Sequence, residues 1–207
     1  MVGTGGVGVR PVQGLFGAPA RSVAASGCRR RDTPSSTVGP VIVLVLGGAR
    51  SGKSDLAERW AAGLAPPVTY VATGWNSDAA MTARIEAHRV RRPAEWATVE
   101  VGTALPAALT EIVGTVLVDS LGTWLARHED FVADAEGLCR ALVARRGDTV
   151  VVSDEVGLSV HPPTEVGVRF RDALGSLNRA VADVAQRSVL VVAGRALPLV
   201  GWQDVLP

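Results

Sequence analysis

Cysteine is nearly absent. Cys28 and Cys139 are the only two in 207 residues, and their spacing makes neither a metal clasp nor a redox pair. A disulfide scaffold is thereby excluded, and the reducing cytoplasm is the expected compartment. Long apolar runs are missing too. Hydrophobic residues make up 47% of the chain, yet no stretch reaches the roughly 18 apolar residues that cross a bilayer. Net charge is small: a formal +1 argues against a protein held to nucleic acid by a broad electrostatic field. Internal repeats and signs of a second folded domain are also lacking. What these absences leave is an enzyme handling small molecules, on a chain long enough for one α/β domain with a proper core.

Acidic residues are almost missing from residues 1–40, where Asp32 stands alone among Gly, Ser, Pro and Arg. No apolar core follows a basic start, so the pattern of a secretory signal is not there. The composition is shared by organelle transit peptides, but periodic hydrophobics are lacking and ordering entropy would go unrepaid. The expectation is a disordered extension, or non-native sequence added by an upstream start codon, followed by a catalytic domain over 41–207.

From Val41 onward, strand-like and helix-like segments alternate. Strands are expected at 41–46, 68–73, 96–101, 114–120, 148–155 and 188–194, and helices at 52–64, 78–90, 103–112, 131–146 and 164–186. Most of the strands are short, β-branched and almost wholly apolar, as strands covered on both faces must be. The repetition predicts an α/β fold: a mostly parallel, doubly wound sheet with flanking helices. The stretch 96–101 reads as an edge strand or an antiparallel one.

Gly47, Gly48, Ala49, Arg50, Ser51, Gly52, Lys53 and Ser54 fit G-x-x-x-x-G-K-[ST] between the first strand and the first helix. In that context glycines let backbone N–H groups curl around phosphate oxygens, and the helix N-terminus adds its positive end. Lys53 then reaches the β- and γ-phosphates, and Ser54 is placed to ligate Mg²⁺. Arg50 reads equally as a solvated loop residue. P-loop enzymes also need a carboxylate at the end of a nearby apolar strand. Asp119 closes TVLVD and Asp154-Glu155 closes TVVVSDE, and either aspartate could instead cap the following helix.

One histidine stands out. Met81, Ile85 and His88 recur at helical spacing, with Arg84 one turn before His88 and Arg89, Arg91 and Arg92 after it. Such a histidine is either packed structurally or chemically active, and pattern alone leaves both open. Neutral imidazole can attack a nucleotide phosphorus, and neighbouring arginines would stabilise the developing charge and depress the imidazole pKa.

The strings GGARSGKS, YVAT, MTARIEAHRVRRPAEWATVE and SDEVGLSVHPPTEVGVRFRDALGSLNRAVA, in that order, resemble the adenosylcobinamide kinase / adenosylcobinamide-phosphate guanylyltransferase family of cobalamin biosynthesis. The resemblance covers about residues 41–200. It implies a RecA-like P-loop core that phosphorylates adenosylcobinamide with ATP or GTP. GMP from GTP is then passed through a guanylylated histidine, matching His88, onto adenosylcobinamide phosphate. The family's nucleotide contacts carry over onto Gly47 through Ser54, onto Ala72, Thr73 and Gly74, and onto Arg89, Val90, Arg91 and Arg92. Glu100 and Asp119 match carboxylates associated with the guanine nucleotide, although Glu100 also reads as a charge ending an edge strand. The resemblance also implies a trimeric homo-oligomer; Mg²⁺ at Ser54 follows from the loop motif, and charge and apolar-run length argue against a nucleic-acid partner and a membrane span.

The chain departs from the family in places. Ala87 precedes His88 where some relatives carry a second histidine, and 121–142, with His128, matches weakly. His161 reads as a loop residue. Arg169, Arg171, Asp172 and Asn178 lie on the polar side of the expected 164–186 helix, meeting either substrate or solvent. Two rival readings remain from the residues alone: a P-loop kinase of another small alcohol, and a non-catalytic nucleotide-binding module.

Overall fold

Short apolar runs build the sheet. In the computed structural model, which describes residues 39–75 and 89–205, these are β1 (Ile42–Gly47), β2 (Val68–Ala72), β3 (Ala97–Glu100), β4 (Thr115–Asp119), β5 (Thr149–Asp154), β6 (Arg187–Val192) and β7 (Arg195–Leu199). The expectations for 1–38 and for the helical pattern over 78–88, including His88, lie outside the described residues. Strand order is β3-β2-β4-β5-β1-β6-β7, parallel throughout except for the β6–β7 hairpin. The mostly parallel, doubly wound sheet is therefore as expected.

Five described helices flank it: α1 (Lys53–Ala62), α2 (Leu105–Glu111), α3 (Leu121–Leu125), α4 (Ala135–Ala144) and α5 (Glu165–Val184). Strand alternation divides the core between the two faces. Val43, Val45, Tyr70, Leu117, Val150 and Val152 pack with Ala57 and Ala61 of α1. Ile42, Leu44, Leu46, Val116, Val118 and Val151 pack with Leu105, Leu109, Leu138, Leu142, Leu174 and Leu177 from α2, α4 and α5. Each fully buried Leu or Val contributes about 1.5–3 kcal/mol, so the two layers hold the sheet from both sides.

Several boundaries differ from expectation for local reasons. The helix expected from 131 begins at Ala135, because Asp134 caps it by accepting from Gly137 N and a 3₁₀ turn precedes it at Glu129–Phe131. Helix α3 and strand β7 were not anticipated. Five residues containing a glycine carry too little periodicity to announce α3. The RALPL strand is exposed at every position and holds a proline, which edge strands tolerate. Strand β3 is an edge, exposed along its whole length, but it pairs parallel with β2.

Parallel strands bring their carboxyl ends to one border of the sheet, where ligands of open α/β folds bind. Register aligns Glu100, Ala72 and Asp119 across β3, β2 and β4, and sets Asp154 beside Gly47. Asp154 shares its face with Val150 and Val152, and Asp119 with Leu117, so both carboxylates lie on the side that α1 covers.

Candidate active site

The loop between β1 and α1 is drawn tight by its glycines. A Cβ on Gly47 would meet Ser51 Oγ at 2.5 Å and Val191 O at 2.7 Å, so only glycine fits there. Gly52, at φ +94°, is the residue before α1 and occupies the left-handed region. Ser51 N donates to Gly48 O, and Gly194 N donates to Ser51 O, tying the loop to the β6–β7 turn. Arg50 also has a positive φ and is exposed.

Inside the loop lies Lys53, 3% exposed. Its Nζ donates to Gly48 O at 3.2 Å and is paired with Asp154 Oδ1 at 2.7 Å. Burying an ammonium is costly, and the carboxylate offsets part of that cost. Ser54 is buried beside it, and Ser51 Oγ is buried with no hydrogen-bond partner among the described residues. An orphaned hydroxyl of this kind costs about 1–3 kcal/mol unless something binds there. A glycine cradle, a sequestered lysine, an unpartnered hydroxyl and a helix N-terminus form a receptacle for phosphate.

The second cluster lies farther along the same border. Tyr70 Oη donates to Asp119 Oδ2 at 3.2 Å, and the Arg92 guanidinium sits 3.7 Å over the Tyr70 ring. Burial first, then the Asp119 charge, push the Tyr70 phenol far above its ordinary pKa. Arg92 also donates to Thr98 of β3, and Arg91 pairs with Asp55 and Glu58 of α1. The basic run after position 88 is thus fastened to α1, β2 and β3. Asp119 does not cap α3. Ser120 does, in a capping box with Thr123.

A family profile described as "Cobinamide kinase / cobinamide phosphate guanyltransferase" matches residues 43–199. The chain belongs to this family. It is 41% identical to the "Bifunctional adenosylcobalamin biosynthesis protein CobP" of Pseudomonas aeruginosa over 167 residues, 76% of this chain and 96% of that protein. It is 33% identical to the "Bifunctional adenosylcobalamin biosynthesis protein CobU" of Escherichia coli over 176 residues, 74% of this chain and 97% of that one. The protein of the same name from Salmonella typhimurium is 32% identical over the same length.

Within this cobinamide kinase / cobinamide phosphate guanyltransferase chain, the residues singled out from sequence fall into groups. Gly47 through Ser54 and Asp154 meet around the buried Lys53, and Asp119, Arg91 and Arg92 gather around Tyr70 and α1. Arg89 and Val90 are exposed in the helical turn before them. Glu100 is exposed at the end of β3. Thr73 is fully buried, and its hydroxyl is engaged with Ser120 and Thr123, locking β2 to the β4–α3 turn. Arg127 donates to the carbonyls of Thr73 and Gly74 and stacks over Trp75, a role that no spacing in the sequence signals.

Asn178 corrects an expectation. It is 6% exposed rather than on the polar side of its helix. Its amide accepts from Ser153 Oγ at 2.6 Å and donates to the Asp154 carbonyl at 3.0 Å, fixing the strand end that presents Asp154 to Lys53. Arg169 pairs with Asp130 on the surface, while Arg171 bonds Asp172 and the exposed loop residue His161. His128 bonds the Trp124 carbonyl and packs edge-on against that ring.

Proposed function

We propose that the chain carries out both reactions of its family in cobalamin biosynthesis, using His88 as the guanylyl carrier. In the first, the aminopropanol hydroxyl of adenosylcobinamide attacks the γ-phosphorus of ATP or GTP, giving adenosylcobinamide phosphate and the nucleoside diphosphate. In the second, a His88 imidazole nitrogen attacks the α-phosphorus of GTP and pyrophosphate departs. A phosphate oxygen of adenosylcobinamide phosphate then displaces the imidazole, forming adenosylcobinamide-GDP and restoring His88. The observation that carries the reading is the buried Lys53, held at the mouth of a glycine cradle by Asp154 within a chain of this family.

Lys53 and the loop amides grip the outer phosphates in both reactions, so one receptacle serves a γ-phosphoryl donor and a pyrophosphate leaving group. The buried Ser54 hydroxyl and the Asp119 and Asp154 carboxylates on the same face are hard oxygen donors that suit Mg²⁺. Bound at Ser54, the ion would neutralise phosphate charge. Arg91, Arg92 and Asp119 are assigned to the nucleotide, and Glu100 to its guanine. The proposal includes a cytoplasmic, homo-oligomeric enzyme. Among the described residues no helix is long and apolar enough to cross a membrane.

Incubation with α-labelled GTP and Mg²⁺ is expected to leave acid-labile, alkali-stable label on the protein. His88→Asn is expected to abolish that label while nucleotide binding persists, and phosphorylation of the corrinoid hydroxyl is measured separately. Label surviving in the variant would reject His88 as carrier.

A further inference from the structure

We propose that Tyr70 is a positioning residue of the guanine-nucleotide site, fixing Asp119 through its phenol and seating Arg92 on its ring face. The proposal rests on the guanylyl-transfer reading above. Tyr70 is 6% exposed in the middle of β2, between Ala97–Glu100 on one side and Thr115–Asp119 on the other. Register sets Thr98 and Leu117 directly opposite it. Its hydroxyl reaches one pleat further along β4, to Asp119 Oδ2 at 3.2 Å.

The chemistry of the contact has one direction. The phenol keeps its proton, so it donates and the carboxylate accepts. A carboxylate offers about four acceptor sites, so one phenol orients Asp119 without exhausting it. On the ring's face, the Arg92 guanidinium lies 3.7 Å from the centroid and donates sideways to Thr98 Oγ1 at 3.3 Å. A single aromatic side chain therefore ties together an anion and a cation that arrive from β4 and from the basic run. An arginine stacked in this way has less rotameric freedom to lose when it meets a phosphate or a base. A tyrosine that merely filled the core between β2 and α1 would need neither contact.

Two substitutions separate ring from hydroxyl. Tyr70→Phe keeps the platform for Arg92 and deletes the bond to Asp119. Tyr70→Leu deletes both. In single-turnover labelling with α-labelled GTP, Tyr70→Phe is expected to raise the GTP concentration for half-maximal labelling about tenfold, because it removes a hydrogen bond to a charged group. The maximal labelling rate should stay within about twofold. Tyr70→Leu should lose about another threefold in GTP affinity. In an Asp119→Ala background, Tyr70→Phe should have no further effect, since the hydroxyl acts through that carboxylate and alanine offers it no acceptor.

The proposal is overturned if Tyr70→Phe lowers the melting temperature while GTP saturation stays put, which is the signature of a core filler. It is equally overturned if the full tenfold loss persists in the Asp119→Ala background. Absence of label on the parent protein would instead reject the guanylyl-transfer reading, so the two failures are distinguishable.

Discussion

At the scale of single residues, the contact between Lys53 and Asp154 sets the charge that a nucleotide would meet in the proposed site. The lysine is 4% exposed at its side chain and the carboxylate 31%, so the pair is shielded on one side and wet on the other. An incoming triphosphate competes with Asp154 for the same ammonium, and the carboxylate repels it unless a cation lies between them. Asp154→Asn is therefore expected to tighten metal-free GTP binding by about fivefold, equivalent to about 1 kcal/mol. The benefit of added Mg²⁺ should shrink in the same variant. Lys53→Ala removes attraction rather than repulsion, so it should weaken binding with and without metal and cut phosphoryl transfer by about 10²–10³-fold. Titration of GTP with and without Mg²⁺ by calorimetry distinguishes the two signs. Tighter metal-free binding in Lys53→Ala, or weaker in Asp154→Asn, would refute this account of the pair.

At the scale of elements, the turn from β1 into α1 shows how unevenly its glycines are constrained. A methyl on Gly47 would press on Ser51 Oγ and on the backbone of β6 at Val191, whereas a methyl on Gly48 meets nothing within 4 Å. Gly47→Ala should consequently destabilise the nucleotide-free protein by about 1–3 kcal/mol in urea unfolding, as overpacking does. Gly48→Ala should stay within about 0.5 kcal/mol. Equal losses would mean that the turn is limited by something other than this close approach. The same turn was legible in the sequence because all its parts are contiguous: apolar strand, spaced glycines, lysine and helix start. The covered strands β1, β2, β4 and β5 were legible for a related reason, since burial on both faces leaves unbroken β-branched runs. Strand β7 was hidden because it buries no residue and holds Pro198, which argues against a strand anywhere but at an edge. The partners of the loop were hidden by distance along the chain. Tyr70 meets Asp119 across 49 residues, and Asn178 braces the Asp154 carbonyl across 24. From sequence Asn178 reads as facing substrate or solvent, whereas a buried strand end claims its amide.

At the scale of the whole described fold, the sheet separates chemistry from cohesion along its length. Its carboxyl border carries the phosphate receptacle and the Tyr70 cluster, and its amino border is knotted by Arg145. That guanidinium donates to the carbonyls of Leu109, Ile112 and Gly114 at 2.7, 2.8 and 2.6 Å and to Thr149 Oγ1 at 3.0 Å. It thereby ties α2, its exit loop, the approach to β4 and the start of β5. Burial pulls its pKa below the ordinary arginine value, a cost offset by the bonds to the carbonyls. Arg145→Ala leaves those acceptors without their shared donor and is expected to cost about 3 kcal/mol in urea unfolding. Arg145→Lys should recover only part of the loss, because a single ammonium cannot span acceptors arranged for a planar fork. The border proposed to bind nucleotide lies at the far end of the strands and, among the described residues, shares no hydrogen-bond partner with Arg145. Turnover per folded molecule should therefore stay within about twofold of the parent, measured at a temperature where both remain native. A large fall in activity without a matching loss of stability would show the two borders to be coupled through the strands.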